Sequence, residues 1–345
     1  MLPFIPLSLL VFYESKEKYA TATSFFEKRL AFLGEMAYNL DVNSKEDGML
    51  YTLTLNPSLD YMMECSTLSL GETNRSTREY IRFGGKGLNV SAVLSSLSVP
   101  SVAVTLLGGK TGDMLKELLK EESISAKIIP IESPTRINVK LLLDNTTEIN
   151  ARGPALKNDE IKELFTFFDE LTAKDTLVLS GSIPASLSDE HFEKMLERLE
   201  LSKTKLVLDA TGDMLWRAAP YKPYLVKPNK DELSCALGMP LDTLSDIECA
   251  MRKLSERGAK NVLVSLGAEG AMLLSEDGHI YRQAAHKATA RNTVGAGDTM
   301  LAAFLFAQHL PPCEALRLAV AAGSATVSAG RLAKKADIDA VLKKM

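Results

Sequence analysis

From Met49 onward the sequence predicts an α/β fold, a mostly parallel sheet covered by helices on both faces, and three observations predict it. Short strand-like runs alternate with helix-length amphipathic segments, the pattern that βαβ units produce. Hydrophobic residues make up 46% of the 345 residues, enough for a sizeable core. Two stretches break the rhythm by setting strand after strand, 60–64 with 77–83 and 136–143 with 147–150. They predict a small antiparallel β-sheet lid, spanning residues 60–83 and 136–150, over one edge of the main sheet.

The elements follow in order. Leu50-Tyr51-Thr52-Leu53-Thr54-Leu55 alternates as a strand does. Further strands are predicted at 101–107, 176–180, 206–208, 224–226, 261–265 and 271–274. Helices are predicted over 87–97, 112–122, 158–171, 189–199, 243–257, 296–309 and 313–329. In the last of these Cys313, Leu316, Val320, Gly323 and Val327 recur at three and four, and Ala319, Ala322 and Ala325 permit close packing against the sheet. The same stripe is also flat enough for a base to lie on it.

Residues 1–48 form an N-terminal extension of unknown role. Its apolar run, 2–13, is about a dozen residues, too short for a bilayer, which takes about 20. Pro3 and Pro6 interrupt the run and no Lys or Arg precedes Lys16, which speaks against a signal peptide. The stretch is either an appendage or the product of a start codon placed too far upstream. The main domain is expected to run over 49–345.

Lys and Arg number 40 against 44 Asp and Glu, a formal net charge of -4. No basic excess supports a nucleic-acid groove or an anionic membrane surface. Cys65, Cys235, Cys249 and Cys313 lie far apart without a CxxC pair, so they are expected to be buried thiols in a reducing cytoplasm. His191, His279, His286 and His309 are scattered and suggest no catalytic pair.

Four motifs carry chemistry. Asn292-Thr293-Val294-Gly295-Ala296-Gly297-Asp298 precedes an apolar helix with Met300, Leu301, Phe304 and Leu305. Glycines at a helix start let backbone N–H groups converge on a phosphoryl group, and Asp298 in the first turn can accept a hydroxyl proton. The bland alternative is a tight turn whose acid complements the helix dipole. Phe83-Gly84-Gly85-Lys86-Gly87-Leu88-Asn89 is a second glycine-rich helix start, with Lys86 and Asn89 suited to a phosphorylated polyol and without P-loop spacing. In Lys227-Pro228-Asn229-Lys230-Asp231-Glu232, Asn229 and Glu232 share a helix face. They suit either hydrated Mg²⁺ or a plain capping box. Ser265-Leu266-Gly267-Ala268-Glu269-Gly270 joins two strands, as a nucleotide loop or a plain hairpin turn.

Asp60 and the strand Arg136-Ile137-Asn138-Val139-Lys140 add a polar set. Residues two apart share a strand face, so Arg136, Asn138 and Lys140 make one cationic face and leave Ile137, Val139 and Leu141 for the core. That face suits a substrate phosphate, Asp60 suits sugar hydroxyls, and a solvated strand face is the alternative.

In this order the motifs resemble those of the ribokinase-like (pfkB-type) carbohydrate kinases, from about Met49 to the C-terminus. Thr52–Tyr61, Gly84–Val90, Thr135–Leu141, Thr147–Asn150, Leu179–Pro184, Val226–Leu233 and Ser265–Ala271 are similar to its phosphosugar branch. The resemblance implies a ribokinase-like three-layer αβα sandwich with a β-sheet lid. It implies ATP-dependent phosphorylation of fructose 1-phosphate at the 6-hydroxyl, with tagatose 6-phosphate or another phosphosugar as alternative substrate and a catalytically silent sugar-phosphate-binding regulator as the alternative outside enzymes. In it Asp298 is the base, and Gly295, Ala296 and Gly297 are the anion hole. Asp60, Gly85, Lys86, Asn89, Arg136 and Asn138 hold the phosphosugar. Lys227, Asn229, Ser265, Leu266, Gly267, Ala268, Glu269, Gly270 and Gly297 hold ATP, and Glu232 orders Mg²⁺ through water. A cytoplasmic homodimer paired through the lid is implied as well. Asn292, where many relatives carry Asp, puts potassium activation in doubt, and Arg152 is larger than what relatives often place before Gly153-Pro154.

Overall fold

Strand alternation decides how the central sheet is covered, and the computed structural model describes it for residues 48–143, 146–210, 212–287 and 292–345. The predicted extension, apart from Gly48, lies outside the described residues. In chain order the strands are β1 (Leu50–Thr54), β2 (Ser58–Glu64), β3 (Arg78–Gly84), β4 (Val102–Leu107), β5 (Ala126–Pro130), β6 (Arg136–Leu142), β7 (Thr147–Ile149), β8 (Thr176–Ser180), β9 (Lys205–Asp209), β10 (Leu225–Val226), β11 (Asn261–Ser265), β12 (Ala271–Leu274) and β13 (Ile280–Gln283). The helices are α1 (Lys86–Ser96), α2 (Gly109–Glu121), α3 (Asn158–Glu170), α4 (Asp189–Ser202), α5 (Met214–Ala218), α6 (Lys230–Leu237), α7 (Leu244–Arg257), α8 (Ala296–Phe306), α9 (Pro312–Ala329) and α10 (Lys335–Leu342).

The main sheet runs β13-β12-β11-β10-β9-β8-β1-β4-β5. It is parallel from β5 through β11, and β12 and β13 are antiparallel. On one face Leu53, Val104, Leu106, Leu177, Leu179, Leu206 and Leu208 join Phe167, Phe168, Phe192 and Leu196 of α3 and α4 in a single core. The alternate residues point to the other face, where Thr52 Oγ1 meets Ser91 Oγ of α1 at 2.7 Å. That face turns polar toward the carboxyl ends of the strands, at Thr54, Ser180 and Asp209. β1 lies between strands reached in opposite directions, β8 and β4. The chain therefore leaves a crevice at the strand tips, where open α/β sheets bind ligands.

The lid runs β3-β2-β6-β7. Its pairs β2–β3 and β6–β7 are antiparallel, but β2–β6 is parallel, so the lid is mixed rather than the expected antiparallel flap. The reason lies in the connections. β2 leaves the end of β1 and β6 leaves the end of β5, two strands of the parallel sheet, and both set out in the same direction. Ile137, predicted for the core, is 48% exposed. At β6 the lid is one layer, with its inner face on the cavity and its outer face toward solvent.

Cys235, Cys249 and Cys313 are exposed and Cys65 is half-buried, which corrects the expectation of buried thiols. They sit on outward sides of helices and at the end of a lid strand, where no core claims them. In α9 the residues from Leu318 to Thr326 are buried, so the small-residue stripe is core, while Cys313 stands outside it. The strands β5 and β13 and the short helices α5 and α10 were not predicted. β5 ends in Pro130 and lies at a sheet edge, where strand patterning is weakest.

Candidate active site

Two glycines bring α1 against the tip of β1. Gly85 caps the helix at φ 129, in the region that favours glycine. A Cβ on Gly87 would meet Thr54 Oγ1 at 2.5 Å, so only glycine lets the first turn lie this close. The turn delivers Lys86 and Asn89 to the crevice. Opposite, Gly295 at φ 79 starts α8 and puts Asp298 in its first turn. Asn89 Nδ2 donates to Asp298 Oδ2 at 2.7 Å, joining the two glycine-rich motifs.

Behind this pair lies a buried ionic cluster. Lys86 Nζ donates to Asp209 Oδ1 at 3.1 Å and to Glu232 Oε1 at 3.3 Å. Lys227 Nζ lies 3.2 Å from the same Asp209 oxygen. Burial and then the Asp209 charge push the Asp298 carboxyl up to about 6, against the Asn89 hydrogen bond and the Lys227 and Lys86 ammonium groups, which pull it down. Burial works against the Lys86 ammonium, but Asp209, Glu232 and Asp298 outweigh it and hold the group protonated well above its ordinary value. A carboxyl that titrates near neutrality can take a proton from a hydroxyl, and fixed ammonium groups beside it can stabilise a phosphoryl anion.

A cavity of about 410 Å³ opens onto this cluster. Of the residues predicted from sequence, it gathers Asp60, Gly85, Lys86, Asn89, Arg136, Asn138, Gly295 and Asp298. Arg136 is clamped by backbone: NH2 donates to Asn56 O at 2.8 Å, NH1 to Ala151 O at 2.7 Å and Nε to Pro57 O at 3.4 Å. Burial lowers its pKa and Asp60 opposes that. Asn138 Nδ2 donates to Asp60 Oδ1 at 3.0 Å and to Ser58 Oγ at 2.9 Å, locking the two lid strands' polar residues together. Arg152 is exposed, and its carbonyl accepts a hydrogen bond from Asn56.

The remaining predicted residues do not line the cavity. Lys227, Asn229 and Glu232 follow the carboxyl end of β10 and Ser265–Gly270 that of β11, and Glu232 meets the cavity residue Lys86. Asn229 and Glu232 form a reciprocal capping box on α6, with Glu232 N donating to Asn229 Oδ1 at 2.7 Å and Asn229 N to Glu232 Oε2 at 2.8 Å. The capping-box alternative is therefore realised, and Glu232 Oε1 additionally meets Lys86. Asn229 pairs with Ser265 in an isolated parallel bridge. Ser265–Gly270 turns through a 3₁₀ segment, closed by Leu266 N donating to Gly270 O at 2.8 Å. Ala296 follows Gly295 in the α8 start, and a Cβ on Gly297 would stand 3.2 Å from Lys227 Nζ.

Sequence reasoning missed Asp209, Thr54, Ser180, Glu148 and Asn150. Asp209 is fully buried, and a carboxylate closing the apolar run Leu206-Val207-Leu208 at a parallel strand's carboxyl end was a readable signal. Asp209 Oδ2, Thr54 Oγ1, Ser180 Oγ and Asn56 Oδ1 are all buried without a hydrogen-bond partner. Four such atoms around one crevice are a local concentration of unpaired polar groups, in contrast to the hydrogen-bonded norm for buried polar atoms. Among the described residues no group of three or more His, Cys, Asp or Glu is placed to hold a metal.

The family model for pfkB family carbohydrate kinases matches residues 53–337. The chain belongs to the pfkB family. Within it, the chain is 39% identical over 280 residues to 1-phosphofructokinase of Bacillus subtilis, covering 81% of this chain and 92% of the relative. It is 33% identical over 300 residues to D-tagatose-1-phosphate kinase of Bacillus licheniformis, covering 84% of this chain and 96% of the relative. Among solved pfkB-type structures, phosphofructokinase-2 of Escherichia coli in complex with fructose 6-phosphate superposes with a TM-score of 0.81 at 28% identity, over 86% of this chain and 99% of that one.

Proposed function

We propose that this chain is a 1-phosphofructokinase, transferring the γ-phosphoryl group of ATP to the 6-hydroxyl of fructose 1-phosphate to give fructose 1,6-bisphosphate and ADP. The observation that carries the reading is one cavity holding a buried carboxyl of raised pKa, Asp298, together with a cationic lid face, Arg136 and Lys140. The 39% identity to a 1-phosphofructokinase supports the substrate.

In this reading Asp298 accepts the proton of the 6-hydroxyl as its oxygen bonds to the γ-phosphorus, the bond from that phosphorus to the bridging oxygen breaks, and ADP leaves. The amides of Gly295, Ala296 and Gly297 and the ammonium groups of Lys86 and Lys227 stabilise the transferring group. Asp60, Gly85, Asn89 and Asn138 orient the sugar, and Arg136 takes its phosphate with the N–H groups not bound to backbone. Asn229 and Ser265–Gly270 receive the nucleotide. Bound with ATP, Mg²⁺ would neutralise phosphate charge. Both Glu232 oxygens already have partners, so this residue would suit an ion held through water.

The protein works in the cytoplasm, where ATP is the donor, and the kinase domain runs over 49–345. It forms a homodimer through the lid, whose outer side exposes Ile137 and Ile149. Ile137→Asp therefore converts dimer to monomer in size-exclusion chromatography with light scattering. A second reading is D-tagatose 1-phosphate as acceptor, which the Bacillus licheniformis relative favours. A coupled ADP-release assay with MgATP decides, comparing kcat/KM for fructose 1-phosphate, tagatose 1-phosphate, fructose 6-phosphate and tagatose 6-phosphate. Preference for either 6-phosphate would overturn the substrate assignment.

A further inference from the structure

Arg136 and Lys140 of the lid line the cavity, but their partners differ in kind. Arg136 is bound to neutral backbone carbonyls, which neither repel an anion nor move away. Lys140 is only 6% exposed and donates to Glu148 Oε2 at 2.5 Å and to Asn150 Oδ1 at 3.2 Å. Asn150 Nδ2 donates to the same Glu148 oxygen at 3.2 Å. Lys140, Glu148 and Asn150 all line the cavity that holds Asp298.

Glu148 is ionised at neutral pH. Burial works against its charge, but the hydrogen bonds from Lys140 and Asn150 and the Lys140 charge outweigh it and hold the carboxyl below its ordinary value. It stands on β7, a three-residue edge strand exposed throughout and paired to β6. A phosphate dianion that reached Lys140 would meet this carboxylate at short range in a poorly screened space, where like charges repel strongly. The ammonium has a third N–H to offer, but two anions held on it at this range repel each other, and of the two Glu148 is the one on a strand open to water.

We propose that Glu148 is a substrate-displaced latch on Lys140: the phosphate of the arriving sugar takes the ammonium, and Glu148 turns out to solvent. Lys140 then binds the substrate phosphate alongside Arg136, and Glu148 acts through Lys140 as a positioning residue. An acceptor without a phosphate has nothing to exchange for Glu148, so the pair selects phosphorylated over free ketoses. This inference rests on the phosphosugar reading above.

The test is titration of the full chain with fructose 1-phosphate, and separately with inorganic phosphate, followed by the ligand-dependent rise in Tm. Glu148→Gln removes the competing charge and keeps the shape. It is expected to tighten both ligands by about threefold to fivefold, the worth of a partly exposed ion pair. Lys140→Gln is expected to weaken both by about tenfold to a hundredfold, the loss of a charge-assisted hydrogen bond. KM for MgATP stays the same in both variants. Unchanged or weaker binding in Glu148→Gln overturns the latch, as does unchanged binding in Lys140→Gln. If inorganic phosphate follows the expected pattern while fructose 1-phosphate does not bind, the latch stands and the substrate reading falls. Glu148→Asp keeps the charge on a shorter arm, so it should bind both ligands less tightly than Glu148→Gln; binding as tight as in Glu148→Gln would trace the gain to lost shape rather than lost charge and overturn the latch.

Discussion

Asp298→Asn should make the protein inactive and more stable at once. Burial and Asp209 raise the Asp298 carboxyl from 3.8 to about 6. Below pH 3.8 the group is protonated in the folded and the unfolded chain, and no cost arises. As pH rises from 3.8 through about 6 the unfolded chain releases its proton first, so stability is lost, and above about 6 the loss is complete. At 1.36 kcal/mol per pH unit the ionised carboxylate costs about 3 kcal/mol. Asn carries no such cost and can still accept from Asn89 Nδ2, and the pull of Lys86 and Lys227 is already contained in the net shift, so the gain should be about 3 kcal/mol at most. Urea unfolding at pH 8 and at pH 5 measures it, and the gain should shrink to about half at pH 5. Turnover should fall about a hundredfold to ten-thousandfold, the range for loss of a general base. An equal gain at both pH values, or none, would refute the argument that burial of a charge raises this pKa.

In the unaltered chain kcat should rise with pH through about 6 and level off above it. Asn89→Ala removes a hydrogen bond that favours the ionised carboxylate, so the midpoint should move up; an unmoved midpoint would assign the limb to another group. Asp209→Asn removes the ion-pair partner of Lys227 and one of the two ion pairs of Lys86. Urea unfolding should show a loss of about 3–5 kcal/mol, the cost of breaking a buried pair. Gly270 has φ 100, and a Cβ there would press on the backbone of Gln283 and Ala285. Gly270→Ala should raise KM for ATP more than KM for the sugar phosphate, which initial-rate kinetics separates.

The glycine-rich helix starts were legible because their chemistry is local: Gly85-Lys86-Gly87 and Gly295-Ala296-Gly297-Asp298 each put backbone and side chain where one turn dictates. That Asn89 and Asp298 share a hydrogen bond is not local, since 209 positions separate them and only the packing of α1 against α8 brings them together. Asp209 escaped notice for the same reason. It has no flanking glycine and no partner at helical spacing, and its weight comes from the two lysines that fold onto it. The lid misled in a different way. Alternation in Ile137-Asn138-Val139-Lys140 correctly separates two faces, but alternation does not say whether a second layer covers the apolar one, and at Ile137 none does. In the Asn229–Glu232 motif both readings hold together, because a carboxylate has two oxygens and uses one for the helix and one for Lys86.

The ionic cluster beneath the cavity contains two ammonium groups, Lys86 and Lys227, and three carboxyl groups, Asp209, Glu232 and Asp298. With Asp298 ionised it carries one surplus negative charge. When Asp298 takes up a proton the cluster becomes electrically neutral. Under the proposed mechanism that proton comes from the acceptor hydroxyl, so the interior sheds its imbalance at the moment the oxygen gains phosphorus. Product release then returns the proton to water and restores the charged state, which makes each turnover a neutralisation and recharging of the same buried site.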